Sequence, residues 1–288
     1  MLKSMPILAV ILLGSAAIAQ DSAAPVALSS GSSNQEIAHH LYHHEMNQTQ
    51  TGELAVHFPD LSRERAYAIQ RARLDEHSEQ DEHVGWKLGW TRSYEGDGGL
   101  DPIVGHYMSK RVYAEGKPVS TRYFTAGSAA AEPEIVFYLK KDLKGPVVSK
   151  ADVIDAVESV GIAMEFVNFR TTEPRTREHA IADNGIAAGV VLGEEKFALD
   201  NLDFSVIEGR VTVNGEKTSS GMATSIMSAD PLAALVWAAN ELPKWGMHLK
   251  AGDFVVSGTV CIPLPVKAGD TAEIEFTGMG ALQATFIP

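Results

Sequence analysis

The 288-residue sequence is poor in cysteine and in positive charge. Cys261 is the only cysteine, so no disulfide forms within one chain and stability must come from packing. The thiol lies in the apolar run 254–266, which predicts a buried, unreactive side chain. Lysine and arginine total 24 against 37 acidic residues, a net charge of −13, and no basic cluster is interleaved with aromatics. We therefore expect no nucleic-acid partner.

The sequence also lacks the common nucleotide and serine-hydrolase motifs. It has no G-x-S-x-G, and the glycine-rich segment 94–100 is not followed by the Lys-Ser/Thr pair of a phosphate loop. Beyond the N-terminus no apolar run is long enough to cross a bilayer, so we expect no membrane span in the mature protein.

The N-terminus has the pattern of a secretory signal. Lys3 precedes the short apolar run 6–14, and Ala17-Ile-Ala19 before Gln20 fits an A-x-A cleavage site. We predict a cleaved signal peptide over 1–19 and a disordered, Ser/Ala-rich leader over 20–34. The mature protein is then expected to be exported, which in a bacterium means the periplasm.

The remaining sequence predicts an α+β fold with a small helical N-terminal part (35–110, including an active-site loop) and a strand-rich core (111–288). Helical patterns and caps predict helices over 34–46, 61–77, 150–160 and 231–244. Short β-branched runs predict strands over 135–139, 187–192, 204–213, 254–259 and 272–276.

Four histidines, at positions 39, 40, 43 and 44, form two i,i+4 pairs on the first helix. This spacing can bind Zn²⁺ or Cu²⁺. Because the segment is very polar and follows the expected leader, we interpret it as a solvated helix face.

Three glutamates are candidate metal ligands. Glu132 and Glu134 stand two apart in an apolar strand pattern, which places both carboxylates on one face. Two such groups repel each other and are costly to bury unless a cation neutralises them. Glu165, in a second apolar segment, would complete one face of an octahedral oxygen site of the kind that Mg²⁺ or Mn²⁺ prefers. The alternative is a solvent-facing strand edge and an unrelated glutamate.

Lys87 lies among glycines and aromatics in the segment 84–91. Such a lysine is often a surface residue with a buried stem. Partly desolvated, it would be suited to proton transfer or to carboxylate binding.

In order along the chain, these segments resemble the 2-oxopent-4-enoate hydratase/4-oxalocrotonate decarboxylase (2-keto-4-pentenoate hydratase) branch of the fumarylacetoacetate hydrolase superfamily. The resemblance runs from about Asp60 to Pro288. It rests on an N-terminal helix with Ala66-Tyr-Ala-Ile-Gln70, the loop Gly85-Trp-Lys-Leu-Gly-Trp-Thr91, Glu132-Pro-Glu134 with Glu165, Ala182-Asp-Asn184, Asn214-Gly215, Trp237-Ala-Ala-Asn240 and Ala251-Gly-Asp-Phe-Val-Val-Ser-Gly258.

The resemblance implies mixed β-sheets rolled around a metal site, in a homo-oligomer. Glu132, Glu134 and Glu165 would hold Mg²⁺ or Mn²⁺, and the substrate would be a small anionic 2-oxo or 2-hydroxydienoic acid. A lyase, either a hydratase or a decarboxylase, would act on it through a metal-stabilised enolate. Lys87 would be catalytic, and the substrate-binding residues would be Lys87, Gly89, Thr91 and Asp101.

One departure from the family bears on activity. Many members carry an acid where this chain has Ile103, in Ile103-Val-Gly105. Asp101 is a candidate substitute. Two alternatives therefore stay open: a non-catalytic periplasmic protein that binds metal and oxoacid, and an acylpyruvate-type C–C hydrolase.

Overall fold

The computed structural model describes residues 26–79, 81–92, 99–125 and 127–288. The expected signal peptide and residues 20–25 of the expected leader lie outside this part of the chain. The helices are α1 (Asn34–Met46), α2 (Glu53–His57), α3 (Arg63–Ser78), α4 (Lys150–Ala156), α5 (Arg177–Ala182) and α6 (Pro231–Glu241). The strands are β1 (His83–Gly89), β2 (Ile103–Met108), β3 (Val112–Ala114), β4 (Val119–Ser120), β5 (Ala129–Leu139), β6 (Val157–Asn168), β7 (Ala187–Leu192), β8 (Glu208–Val213), β9 (Lys217–Met222), β10 (Phe254–Thr259), β11 (Leu264–Pro265), β12 (Thr271–Phe276) and β13 (Gly280–Ile287).

Two mixed sheets form the body of the molecule, so the predicted α+β class is confirmed. The larger sheet has eight strands in the order β2-β1-β10-β5-β6-β7-β3, with β11 also paired to β5. The smaller sheet runs β4-β13-β12-β8-β9. In β12 and β13 buried and exposed residues alternate, as expected for strands with one face in the core and one in solvent. In β5 and β6 nearly every residue is buried, so these strands lie inside the molecule.

The helical N-terminal part packs against the larger sheet, and that sheet includes β1 and β2 from before residue 110. Ser33 caps α1 in a capping box with Glu36, and the side chain of Ser62 caps α3. The predicted helices over 34–46 and 61–77 are therefore confirmed. The helix predicted over 150–160 was too long, since it ends at Ala156 and the chain enters β6 at Val157. The β-branched residues there pair with β5 instead of continuing the helix.

A buried charged cluster joins the helices to the loop before β7. Asp183 Oδ1 accepts hydrogen bonds from Arg73 and Arg170, both at 2.8 Å. Glu45 on α1 accepts from Arg73 and, at 2.7 Å, from Arg111. Arg73 and Arg170 are fully buried, so these ion pairs fix α1 and α3 against the sheet. We call the set Arg73, Arg111, Arg170, Glu45 and Asp183 the arginine cluster.

Two expectations about the N-terminus were wrong where the structure describes it. Residues 26–34 of the predicted leader are ordered: Leu28 is buried and its amide donates to Glu53 Oε2 at 2.5 Å. The histidines of α1 do not form a solvated face, because His40 and His43 are buried. The His40 ring contacts Val26 O and Thr51 Oγ1 at 2.9 and 2.8 Å, which places the ring in the core. Both expectations rested on the polar composition of these segments, but Leu28 and His40 are buried in the core.

Candidate metal centre

The pairing of β5 with β6 brings the three candidate glutamates together. Glu132 and Glu134 lie on one face of β5, and Glu165 on β6 is the direct register partner of Glu132. One carboxylate oxygen of each lies within 4.8 Å of the others, and all three residues are buried. The interpretation as a solvent-facing strand edge is therefore wrong. The predicted cluster of three glutamates is present.

In Glu134 and in Glu165, one carboxylate oxygen accepts a hydrogen bond from the protein and the other has no hydrogen-bond partner. Glu134 Oε2 accepts a hydrogen bond from the Gly258 amide at 2.8 Å. Glu165 Oε1 accepts from the Tyr107 hydroxyl at 2.6 Å and lies 3.2 Å from Lys87 Nζ. Glu134 Oε1 and Glu165 Oε2 are buried without a hydrogen-bond partner. Buried carboxylate oxygens are costly to leave unpaired, so these two atoms are available to a cation.

Burial and mutual repulsion perturb the carboxyl groups. Burial first, and then the charge of Glu165, raises the pKa of Glu132 to about 8. Burial, followed by the charges of Glu165 and Glu132, raises the pKa of Glu134 well above its usual value. Without a cation the cluster therefore holds protons at neutral pH, because the low-dielectric site disfavours several adjacent negative charges.

Lys87 stands next to these acids on β1. Its side chain is 2% exposed, and Nζ donates to Gly185 O at 3.1 Å. Burial alone would lower the pKa of Lys87, but the charges of Glu165, Glu132 and Glu134 outweigh it and the net shift is upward. Lys87 is thus a charged ammonium fixed beside the carboxylates, not a surface residue with a buried stem.

Two glycines make room for the Lys87 stem. A Cβ at Gly105 would lie 2.5 Å from Asn184 O and 2.9 Å from Lys87 Cγ. Gly185 has φ +59°, a conformation that favours glycine, and its Cβ would lie 3.1 Å from Lys87 Cδ. The segment 183–185 therefore forms the wall behind Lys87.

Two of the three glutamates, Glu132 and Glu134, open onto a cavity of about 220 Å³. Its polar wall contains Lys87, Glu132 and Glu134, and its lining also includes Gly89 and Thr91, two of the predicted substrate-binding residues. The remaining lining is largely apolar and consists of Leu88, Trp90, Arg92, Ala130, Val167, Phe169, Ile186, Thr259 and Pro263. Such a site suits a small molecule with one charged end and a hydrocarbon end.

A bulge in β10 shapes the wall of this cavity. The pairing of β10 with β5 shifts register between Val256 and Thr259, and Gly258 inside the bulge has φ +95°. A Cβ at Gly258 would lie 1.9 Å from Thr91 Oγ1, so only glycine fits. The bulge turns the Gly258 amide toward Glu134 and leaves the Ser257 carbonyl to accept from Thr91 at 3.0 Å.

Asp101 does not take the predicted place among the residues that line this cavity. Its carboxylate forms ion pairs with Arg63 at 2.6 Å and Arg177 at 2.8 Å. Ile103, where relatives were expected to carry an acid, is buried and apolar. The suggestion that Asp101 substitutes for that acid thus finds no support in the geometry, because two arginines already hold the carboxylate.

Sequence reasoning missed two donors, the Tyr107 hydroxyl and the Gly258 amide. The period-2 pattern of β2 places Ile103, Gly105 and Tyr107 on one face, so a prediction of β2 would have indicated Tyr107. The Gly258 amide required the β10 bulge, which no local pattern signals. Cys261, by contrast, is buried as predicted.

The residues present fit a divalent cation. Three carboxylates face the ammonium of Lys87, which leaves two negative charges to be neutralised. The ligand atoms are all oxygens, the type that hard cations such as Mg²⁺ prefer. Two of them are the buried oxygens without partners described above.

Comparison with known sequences identifies the relatives. The fumarylacetoacetate (FAA) hydrolase C-terminal family matches residues 97–287. A 2-hydroxyhexa-2,4-dienoate hydratase from Comamonas testosteroni is 30% identical over 81% of this chain and 89% of its own length. A 2-oxo-hept-4-ene-1,7-dioate hydratase from Escherichia coli is 29% identical over 87% of this chain and 97% of its own length. These similarities confirm the prediction of a 2-keto-4-pentenoate hydratase-like enzyme.

A solved structure shares the fold over most of its length. The 4-oxalocrotonate decarboxylase from Pseudomonas putida G7, complexed with magnesium and adipate, is 26% identical and superposes with a TM-score of 0.81. The match covers 88% of this chain and 97% of that one. The same protein has also been solved with calcium and acetate. The shared fold and the sequence match over residues 97–287 together show that the chain belongs to the fumarylacetoacetate hydrolase family.

Proposed function

We propose that the chain is a divalent-metal-dependent lyase, in the first place a hydratase, that acts on a small 2-oxo or 2-hydroxydienoic acid. The observation that carries this proposal is the cluster of three buried carboxylates beside Lys87, of which Glu132, Glu134 and Lys87 line an otherwise largely apolar cavity. Relatives named as hydratases of 2-keto-4-pentenoate and 2-hydroxyhexa-2,4-dienoate support the reaction and the substrate class.

Glu132, Glu134 and Glu165 would hold Mg²⁺ or Mn²⁺, which when bound supplies Lewis acidity toward the 1-carboxylate and 2-oxygen of the substrate. Magnesium is supported by the decarboxylase structure as well as by the ligand set. Manganese is supported by ligand chemistry alone.

Lys87 is suited to hold the substrate carboxylate. An ammonium has three N–H donors, and Gly185 O and Glu165 Oε1 lie at 3.1 and 3.2 Å from Nζ. The third donor is left for a ligand in the cavity. Without a bound cation, burial is outweighed by the charges of Glu165, Glu132 and Glu134, which raise the pKa of Lys87, so its side chain is charged at neutral pH. The ammonium can orient the acid and donate a proton.

The apolar lining has a separate task. Leu88, Val167 and Phe169 also line the cavity and would contact the unsaturated carbon chain. An apolar wall excludes bulk water, so the reacting water must enter at a defined position. Hydration adds one water across a carbon–carbon double bond. Decarboxylation of the same class of acid would use the same carboxylate and 2-oxygen contacts, so these contacts alone do not separate the two reactions.

The test is incubation of metal-loaded protein with a panel of 2-oxo and 2-hydroxydienoic acids, with products identified by mass spectrometry. A product heavier by one water supports the hydratase. Loss of carbon dioxide indicates the decarboxylase, and two shorter acids indicate the C–C hydrolase. Metal-dependent binding of the acids with no turnover of any would overturn the lyase and favour the non-catalytic binder, for which the apolar Ile103 is the supporting observation.

Export and assembly belong to the same proposal. The signal-like segment 1–19 predicts a mature N-terminus at Gln20, which N-terminal sequencing of the native protein would test; an intact Met1 on cytoplasmic protein would contradict it. No helix in the described ranges is both long and apolar enough to cross a membrane. Light scattering on the purified protein would test the homo-oligomer expected from the family resemblance.

A further inference from the structure

The two carboxylate oxygens of Glu165 differ in their surroundings, and so do those of Glu134. Glu165 Oε1 is shared by the Tyr107 hydroxyl and Lys87 Nζ, whereas Oε2 has no protein partner. Glu134 shows the same division, with Oε2 held by the Gly258 amide and Oε1 unpaired. In both Glu134 and Glu165, one carboxylate oxygen is held by groups of the protein and the other has no hydrogen-bond partner.

This division matters for the choice of cation. Calcium takes about six to eight oxygens and often binds both oxygens of one carboxylate. Magnesium takes about six in a strict octahedron and usually binds a carboxylate through one oxygen. A carboxylate with one oxygen already hydrogen-bonded is therefore a good ligand for the smaller ion and a poor one for calcium.

We propose that Tyr107 is a positioning residue that, with Lys87, leaves Glu165 one free oxygen and so makes the centre select a small octahedral cation over calcium. The inference deepens the proposed function, because it requires that a divalent cation occupies the centre.

The position of Tyr107 is built into the sheet. On β2 it faces the same side as Gly105, and its register partner on β1 is Gly85, which has no side chain. The ring lies close to Phe254, with centroids 5.8 Å apart, and the residue is 1% exposed. A buried phenol needs a partner, and its strongest contact is the one at 2.6 Å to Glu165. Since Ile103 is apolar, Tyr107 is the side chain of this strand face that makes a polar contact with the metal centre.

The test compares the affinities of Mg²⁺, Mn²⁺ and Ca²⁺ for wild type and Tyr107→Phe by calorimetry in the absence of substrate. Tyr107→Phe keeps the ring and removes only the hydroxyl. Without that contact Glu165 Oε1 keeps only Lys87 Nζ at 3.2 Å, so it can approach a larger cation more easily and the ratio of magnesium to calcium affinity should fall about tenfold. The electron paramagnetic resonance spectrum of bound Mn²⁺ should change as well, because the ligand geometry changes.

Tyr138→Phe is the matched control. Tyr138 lies on β5, the strand of Glu132 and Glu134. Burial alone raises its pKa, with no contribution from the three glutamates. The same substitution there should therefore leave the ratio of magnesium to calcium affinity unchanged. If Tyr107→Phe lowers the affinities of all three cations in parallel, or alters none, the inference is overturned. Thermal unfolding of both variants establishes that they are folded. If wild type binds no divalent cation, the proposed function itself fails, which is a distinguishable outcome.

Discussion

Two buried groups of charges differ in how their negative charge is balanced. In the arginine cluster, Glu45 and Asp183 face three arginines. At the metal centre, three glutamates face the ammonium of Lys87, which lies 3.2 Å from Glu165 Oε1. The first group carries an excess of positive charge and the second an excess of negative charge.

The direction of the pKa shifts follows this balance. Burial opposes ionisation of Glu45, but the charges of Arg73, Arg111 and Arg170 dominate and hold its pKa well below the usual value. Burial and neighbouring acids instead raise the pKa of Glu132 to about 8. An unpaired oxygen alone does not separate the two groups, because Asp183 Oδ2 also lacks a partner. The sign of the local charge separates a structural cluster from a site that requires a cation.

The largest expected effect tests the structural side of this comparison. Arg73→Met should destabilise the protein by about 3–5 kcal/mol, because it leaves Glu45 and Asp183 buried with fewer partners. The free energy of unfolding from urea denaturation, measured without metal, gives the value. A loss below about 1 kcal/mol would show that the arginine cluster does not hold the helices to the sheet.

Glu134→Gln is the matched substitution at the metal centre. It replaces a carboxyl group whose ionisation is disfavoured by burial and by the neighbouring acids with a neutral amide, so the metal-free protein should be no less stable than wild type. Metal affinity should fall sharply for Glu134→Gln and for Glu165→Gln, because each removes a ligand charge. Unchanged affinity in both variants would show that the site assignment is wrong.

The metal centre was more accessible to sequence reasoning than the arginine cluster. Glu132 and Glu134 could be predicted from their spacing within one strand. Glu165 could be added because the motifs occur in the same order as in a known family. Arg73 and Asp183 lie 110 residues apart, and no local pattern shows that they meet. Burial of His40 was missed for the same reason, since long-range packing and not local polarity decides it. Patterns within one element were predictable, and contacts between distant elements were not.

The second prediction asks whether Lys87, the ammonium beside the three glutamates, is catalytic. Lys87→Met keeps most of the stem and removes the charge, so kcat/KM on a confirmed substrate should fall about 100-fold, a loss of ~3 kcal/mol in transition-state stabilisation. Metal binding should not weaken, because the substitution removes a positive charge beside the carboxylates. Lys217→Met, on an exposed strand position, is the control. Oxalate serves as a small anionic probe of binding in the presence of metal. If Lys87→Met leaves both turnover and the affinity for oxalate unchanged, the segment 84–91 is structural.

The third prediction uses pH, to which the two groups respond in opposite directions. The raised pKa of Glu132 means that the folded metal-free protein binds a proton that the unfolded chain has lost between about pH 4.5 and about pH 8. Its contribution to stability therefore falls as pH rises through that window. Glu45 has a lowered pKa, so its contribution is present above about pH 4.5 and is lost on acidification.

Metal binding should compensate the loss at high pH, because only deprotonated carboxylates bind a cation. The rise in Tm on adding Mg²⁺ should therefore be larger near pH 8 than near pH 5. Calorimetric Tm values with Mg²⁺ and with a chelator measure it. Glu132→Gln should reduce this pH dependence. An Mg²⁺ effect that is equal at both pH values would contradict the charge imbalance proposed for the centre.

The smallest expected effect concerns Asp101, an acid whose charge is already balanced. Arg63 and Arg177 hold its carboxylate, and the side chain is 43% exposed. Burial opposes ionisation of Asp101, but the hydrogen bonds and charges of Arg63 and Arg177 together outweigh it and lower the pKa, so Asp101 stays ionised and paired at neutral pH. Asp101→Asn should cost at most about 1 kcal/mol of stability, as for other solvent-exposed ion pairs, and should leave kcat/KM within about twofold of wild type. A fall in kcat/KM comparable to that of Lys87→Met would mean that Asp101 does replace the acid missing at Ile103, and that its pairing with the two arginines is broken when substrate binds.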